Sequence, residues 1–470
     1  MPDVEGLKRS LAGIRIEDNP AIVKQKSRDF FWYSPVLKRQ LEHVTGDLVV
    51  SPTSEDEVVR VLAEAYAHEV PVTVRGAGTG NYGQAMPLSG GLILSLAELR
   101  GVGAIGNGTV TADAGAIMSE IDQVTIADSR QELRLHPSTY RSATIGGFIA
   151  GGSGGVGSIR WGGLRDLGNI VSARVVTLES TPRVLDLTGD DLAKVAHAYG
   201  TNGVITRVEV PLAPAYDWVD VLLGFDRFMD AARFANALGA EDGILLKELG
   251  VIAAPVPHDY FLRHQRYVRR DQSMVVIMVA RQALSALMTL VGRDSRASVL
   301  FRSDRAGEDE RRGLPPAYEL AWNHTTLRGL RVDPSITYLQ TLYPYPHQLE
   351  RLEKVTAILG DEVPGHLEFV RFDGNVTCFG LPIVRYTTEE RLEEIIRIHE
   401  DNGCPVFNPH RYTLEEGGMK QSDPVQLAFK READPKGLLN PGKMIAWEEP
   451  DYDFGADKVY LFRGLQALEA

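Results

Sequence analysis

Two stretches of the sequence carry side chains able to take a proton beside a reacting carbon. In Asn408-Pro-His-Arg-Tyr412, His410 and Tyr412 point to one face if the backbone is extended. In Trp322-Asn-His-Thr-Thr326, His324 offers a second imidazole. A base of this kind serves the oxidation of a C–H bond, either by removing a proton or by stabilising a developing alkoxide. For each histidine, a hydrogen-bonded structural role is the competing reading. Arg371 and Arg385 have the forked geometry that clamps a carboxylate, although a surface Arg on a strand is the commoner outcome.

Chemistry of another kind is written in glycine. Val70, Val72 and Val74 alternate with Pro71 and Thr73 at strand spacing, and Arg75-Gly-Ala-Gly-Thr-Gly-Asn-Tyr82 then forms a loop with few Cβ atoms to obstruct it. Such a loop brings backbone N–H groups against phosphate oxygens as an anion nest. A second stretch runs from His136-Pro137-Ser138 through Ala143-Thr144-Ile145-Gly146-Gly147 to Gly151 and Gly155. Two such loops suit one long ligand with a pyrophosphate between them, and a dinucleotide is the natural candidate.

Gly78-Thr-Gly-Asn-Tyr-Gly83 also fits the GxGxxG pattern, with Glu98 downstream, so a Rossmann site has to be considered. That fingerprint must open a helix packed on its strand. Gly83, Pro87, Gly90 and Gly91 leave no helix-length run before the next apolar strand, so this loop joins strand to strand.

The elements that must position the loops follow from periodicity. A strand at 48–52 precedes Thr53-Ser54-Glu55-Asp56-Glu57, whose hydroxyls and acids suit a helix start, and the helix leads into the Val70 strand as a βαβ unit. Strands are expected at 92–96, 109–114 and 133–136, then a short helix from Thr144 whose N–H groups can face a phosphate. A strand at 169–178 with a hairpin partner at 183–187, a helix at 190–199 and a strand at 203–210 follow. Pro211 and Pro214 mark a domain boundary. Beyond it, strand, helix, strand, strand, helix, strand is spelled once over 219–301 and again over 336–407. Two split-βαβ halves of this kind form an antiparallel sheet with helices on one face.

The order Arg75-Gly-Ala-Gly-Thr-Gly, Ala143-Thr-Ile-Gly-Gly, Gly200-Thr-Asn-Gly-Val-Ile-Thr206 and Asp434-Pro-Lys-Gly-Leu-Leu-Asn-Pro-Gly-Lys443 resembles the vanillyl-alcohol oxidase type (PCMH-type) of FAD-linked oxidoreductase. The resemblance implies an α+β fold. A two-subdomain FAD-binding domain at 1–213 would be followed by a substrate-covering cap at 214–407 with an antiparallel sheet flanked by helices, and a segment at 408–470 would return to the first domain. It implies FAD held by residues 75–82, Pro137, Ser138, Thr144, Ile145, Gly146, Gly147, Gly151 and Gly155, with Ile205, Asn440 and Lys443 near the cofactor. Thr79 stands where covalently flavinylated relatives place a His, so non-covalent FAD is expected unless a cap residue attaches it. The metal motif of many hydroxy-acid dehydrogenases of this type is broken. Phe372-Asp-Gly-Asn-Val-Thr377 carries Thr in place of its His, and no Glu-His-Gly follows, so no metal is expected and alcohols stay open as substrates beside hydroxy acids. The activity implied is hydride transfer from an alcohol or hydroxy acid carbon to FAD, then to an unknown electron acceptor. The alternatives are a flavin-binding subunit of a larger redox complex and a nucleotide-binding module without redox function.

A length of 470 residues calls for more than one core. A formal charge of −13 argues against a nucleic-acid partner and leaves a small-molecule substrate and a homo-oligomer open. Cys378 and Cys404 are too few for a disulfide framework, and each reads as a buried small hydrophobe. The charged first 20 residues show no apolar signal region, and no apolar run reaches the roughly 20 residues that span a bilayer, so a cytoplasmic location is the default.

Overall fold

A computed structural model describes residues 2–453 except 153, 373 and 418–423. The first domain holds two sheets. In the first, β1 (Arg15–Glu17), β2 (Leu48–Ser51), β3 (Val72–Arg75) and β4 (Leu92–Ser95) lie in the order β1-β2-β4-β3, with β4 parallel to both β2 and β3. The helix Glu55–Ala67 makes the crossover from β2 to β3. The Ser54 hydroxyl caps it by accepting from the Glu57 N–H, and Val58, Val61, Leu62 and Ala65 face the core.

The second sheet is antiparallel. It comprises β5 (Val102–Ile105), β6 (Thr109–Asp113), β7 (Gln131–Leu133), β8 (Ser172–Val176), β9 (Val184–Thr188) and β10 (Val204–Pro214) in the order β5-β6-β10-β8-β9, with β7 against the far end of β10. Contrary to the expected stop at Pro211, β10 runs through both prolines. Pro211 stands opposite Thr109 and Pro214 opposite Gln131, near the end of the ladder, where a missing N–H is tolerated. The helix expected at 190–199 is reduced to a 3-10 turn at Gly189–Lys194. The backbone beyond it is pinned elsewhere, with His197 N–H donating to Ile149 O and Tyr199 N–H to Ala150 O, and both residues take positive φ. Tertiary hydrogen bonds override helix propensity there.

In the cap, β11 (Trp218–Phe225), β12 (Leu246–Ile252), β13 (Ser273–Ala280) and β14 (Ser298–Arg302) pair as β14-β11-β13-β12. The second half supplies β15 (Ile336–Tyr338), β16 (Thr341–Tyr343), β17 (His366–Phe372), β18 (Asn375–Gly380) and β19 (Ile383–Arg385). β17, β18 and β16 continue the sheet from β12, making seven antiparallel strands, while β15 and β19 pair by themselves. The strand expected at 405–407 reduces to one bridge, Val406 to Thr341. The helices Phe228–Gly239, Leu284–Arg293, Gln348–Leu359 and Glu389–Asp401 pack on one sheet face. The other face is buried too, under the segments around Val256–Tyr260 and Asn323–Val332, which is why every residue of β12 and β13 is buried. The chain finally returns to the first domain, where Leu439 bridges to Val72 of β3.

Candidate functional site

β3 hands the chain to the first glycine loop, and Gly76, Ala77, Gly78, Thr79, Gly80, Asn81 and Tyr82 line a cavity that also touches the cap. Arg75 lies behind this loop and not in the cavity wall. It is buried, and its guanidinium donates to Arg28 O at 2.7 Å and to Ala77 O at 3.2 Å. Gly78 has φ +69°, and a Cβ there would stand 2.1 Å from the Arg75 guanidinium, so conformation and space both demand glycine. None of the backbone N–H groups from Gly76 to Asn81 meets an acceptor among the described residues. A run of open N–H donors over a buried guanidinium is a site for an anion.

The second loop meets the first where Gly76 lies against Thr144, close enough that a Cβ on Gly76 would sit 2.1 Å from Thr144 Oγ1. Pro137, Ser138, Thr144, Gly146, Gly147 and Gly151 line the cavity, whereas the Ile145 side chain is buried in the core and Gly155 packs on His136 O. Ser153 lies outside the described residues. Thr144 caps the helix Ile145–Gly151, but the donors at its start are taken. Ile145 N–H donates to Ala116 O at 3.0 Å, Gly146 N–H to Ala114 O at 2.9 Å, and Gly147 N–H to Thr144 Oγ1 at 3.3 Å. The first three N–H groups of this helix are therefore not open to a ligand, in contrast to those of the first loop.

Ile205 lines the cavity together with His197, Tyr199, Gly200, Asn202 and Gly203. Asn440 and Lys443 do not. The Asn440 amide donates to Gln84 O at 2.8 Å and Tyr199 O at 2.7 Å, and Lys443 Nζ donates to Gly83 O at 2.5 Å, so both brace the cavity from behind. Burial pushes the Lys443 ammonium below its usual range, with the Asp29 charge opposing that shift. The Asp29 carboxyl, which lines the cavity, is pushed up by burial and partly drawn back by Lys443.

From the cap come Trp322, Asn323, His324, Gln340 and Leu381, joined by Phe30 and Tyr33 of the N-terminal segment. His324 Nδ1 and Asn323 Oδ1 are buried without a hydrogen-bond partner among the described residues. Burial, reinforced by Arg328 and Arg331, pushes the His324 imidazole down to about 4, so it is neutral near pH 7. His410 and Tyr412 do not line this cavity. His410 is buried between Ser34, whose Oγ is 2.7 Å from Nδ1, and Tyr338 O, 3.0 Å from Nε2, and burial pushes it down to about 3. Both of its nitrogens are engaged, which is the geometry of a structural histidine. Tyr412 packs with Leu37, Leu41 and Met86 under the Lys443 ammonium. Arg371 pairs with Asp242, and Arg385 is exposed at the end of β19, so neither reaches the cavity wall. Asp373 of the broken metal motif lies outside the described residues. Among those residues, no group of His, Cys, Asp and Glu could hold a metal ion.

Several contributors gave no sequence signal. Gln84 ties the loops together, its Oε1 accepting from Tyr82 N–H and its Nε2 donating to Gly151 O, both at 3.3 Å. Phe30 N–H donates to Gly80 O at 2.7 Å, which recruits the N-terminal segment to the wall. Asn323 sits beside a histidine already singled out, and that adjacency is the one clue that could have found it.

The cavity, with its open N–H run and two glycine loops, fits a dinucleotide, and the comparisons agree. The family model described as FAD binding domain matches residues 46–186. Glycolate oxidase subunit GlcD of Escherichia coli (strain K12) is 32% identical over 453 residues, covering 88% of this chain and 86% of its own. D-lactate dehydrogenase of Archaeoglobus fulgidus is 28% identical over 430 residues, covering 85% of this chain and 91% of its own. Among solved structures, alkyldihydroxyacetonephosphate synthase superposes with a TM-score of 0.69 over 93% of this chain and 84% of its own, at 16% identity, and so shares the fold. No described helix is long and apolar enough to cross a membrane. With a relative of this identity aligned over most of both chains, and the glycine loops set around one cavity, the chain belongs to the vanillyl-alcohol oxidase type (PCMH-type) of FAD-linked oxidoreductases, and FAD is its cofactor.

Proposed function

We propose that the chain oxidises the CH–OH carbon of an alcohol or hydroxy acid and passes the electrons to a separate acceptor. The observation that carries this reading is the pair of buried polar atoms, Asn323 Oδ1 and His324 Nδ1, that have no partner among the described residues and belong to residues lining the same cavity as the Gly76–Asn81 loop. FAD, when bound, supplies the acceptance of a hydride. The open N–H groups of the first loop hold its pyrophosphate, and Thr79, unable to bond the flavin ring, leaves it non-covalent. His324, neutral near pH 7, accepts the hydroxyl proton as the C–H bond breaks, and Asn323 orients the hydroxyl. Phe30, Tyr33 and Leu381 exclude water.

The names of the relatives put 2-hydroxy acids first among substrates. Arg371 and Arg385 stand away from the cavity, so a carboxylate would need another partner. The test is anaerobic mixing of the FAD-loaded chain with glycolate, D-lactate, D-2-hydroxyglutarate and benzyl alcohol while flavin absorbance is followed. Bleaching by one of them supports the reading. A flavin that dithionite reduces and that the panel and a wider set of alcohols leave oxidised would sink it. The second reading, a flavin-binding subunit of a larger redox complex, then takes its place; the relatives named as glycolate oxidase subunits favour it.

A further inference from the structure

Trp322 immediately precedes the cavity residues Asn323 and His324, and its backbone has φ +52° and ψ −143°. A residue with a bulky side chain adopts that strained conformation only where its surroundings dictate it. Two carboxylates dictate it here. The Trp322 N–H donates to Glu368 Oε1, and its indole Nε1–H donates to Glu248 Oε2 at 3.0 Å.

The carboxylates come from the two halves of the cap sheet. β12 and β17 pair with Gly250 opposite Glu368, and along each strand the neighbours Leu249, Leu367 and Phe369 face the four helices. Alternation then turns Glu248 and Glu368 to the opposite face, toward the segment bearing Trp322. Both are buried, at 2% and 0% exposure.

Two buried carboxyls that meet on one tryptophan are held from ionising together by burial and mutual repulsion. Burial pushes Glu368 up to about 7 and Glu248 well above the carboxylate range. His366 completes the group, with Nε2 at 2.6 Å from Glu368 Oε1 and Nδ1 at 3.2 Å from Leu381 O. The network thus touches two stretches of the cavity wall, Trp322–His324 and Leu381.

We infer that Glu368 and Glu248 are positioning residues for the reaction, clamping the backbone and the indole of Trp322 so that Asn323 and His324 stay set in the cavity wall. This rests on the role given to His324 above. Neither glutamate lines the cavity, so each acts through Trp322.

The test uses the FAD-loaded full chain and the variants Glu368→Gln, Glu368→Ala, Glu248→Leu and Trp322→Phe, with two readouts. The first needs no substrate: the ring 15N–1H signals of His324, identified among 11 histidines by their loss in His324→Ala, together with deuterium exchange of the Trp322 indole N–H. The second is anaerobic flavin reduction by the panel compound that bleaches the parent enzyme. Glu368→Ala and Glu248→Leu should shift the His324 signals and lower the limiting rate by about tenfold or more at unchanged apparent affinity. Indole exchange should accelerate in Glu248→Leu. Glu368→Gln keeps an oxygen for the Trp322 N–H, so it should stay within about threefold of the parent, and Glu368→Ala/His324→Ala should be no slower than His324→Ala alone.

Unmoved His324 signals with parent-like reduction in Glu368→Ala would overturn the inference, as would additive losses in the double variant. If Glu368→Ala does not fold, Trp322→Phe decides, since it removes the indole donor to Glu248 and keeps the backbone N–H to Glu368; parent-like signals and rate there would overturn it. If no panel compound bleaches the parent, the functional reading fails by itself, and the His324 signals still judge the clamp.

Discussion

The amide of Asn81, in the glycine loop of the first domain, donates to the hydroxyl of Tyr338, in the cap, at 2.8 Å, and both residues are buried. The glycine loop, proposed to hold the pyrophosphate, is thereby fixed to the cap. Asn81→Ala should leave the Tyr338 hydroxyl short of a partner, destabilise the protein by roughly 1–3 kcal/mol and weaken FAD retention. Thermal unfolding and flavin titration of the apoprotein check this. Asn81→Ala/Tyr338→Phe, with no orphaned partner, should lose less than the sum of the single changes.

Gly78→Val should abolish flavin retention while much of the cap stays folded. The side chain would be forced to φ +69° and into the Arg75 guanidinium, displacing the cation behind the loop. Normal flavin content in the purified variant would place the pyrophosphate elsewhere.

Acid precipitation should release the yellow colour into the supernatant, because Thr79 lines the cavity with no nucleophile able to bond the flavin ring. Colour retained in the pellet would point to attachment through another wall residue, with His197 and His324 the first to replace.

His324→Ala should keep FAD bound and slow flavin reduction by roughly 10²-fold, the usual scale for losing a positioned base. His410→Gln should leave the limiting rate near the parent value, since its ring is taken up by Ser34 and Tyr338 O. The opposite ranking in anaerobic stopped-flow would return the role to His410.

His410 should make itself felt in acid instead. Its folded-state value of about 3 lies below the ordinary histidine value of 6.5, so its contribution to stability is present above pH 6.5 and fades as pH falls toward 3. Between pH 6.5 and 4, the melting temperature of the parent should therefore drop more steeply than that of His410→Gln. Parallel curves would mean that the imidazole charges freely in the folded protein.

The glycine loops were legible because their function is the absence of side chains, which a sequence displays directly. The helices Gln348–Leu359 and Glu389–Asp401 were legible within the series expected over 336–407 because each buries one apolar stripe. What was hidden depends on distant partners. Residues 195–199 follow the carbonyls of Ile149 and Ala150 in place of their own propensity, and the donors at the start of Ile145–Gly151 are consumed by Ala114 and Ala116. The ranking of His324 and His410 could not be read locally either. Which ring meets the cavity and which is sealed by Ser34 is decided by how the cap sheet lies on the first domain.

The brace behind the glycine loop has a bearing on how the protein is made. β3 is the edge of its sheet, and its outer side is completed by residues 438–440, with Val72 N–H donating to Leu438 O and Asn440 N–H to Val72 O. The Asn440 amide reaches back across 356 residues to Gln84, and Lys443 to Gly83. During synthesis, the strand and loop proposed to cradle the cofactor emerge early, yet their supports leave the ribosome only after the entire cap. A polypeptide halted before Leu438 carries the glycine loop without the frame that braces it, so flavin should be retained only by chains that extend past Lys443.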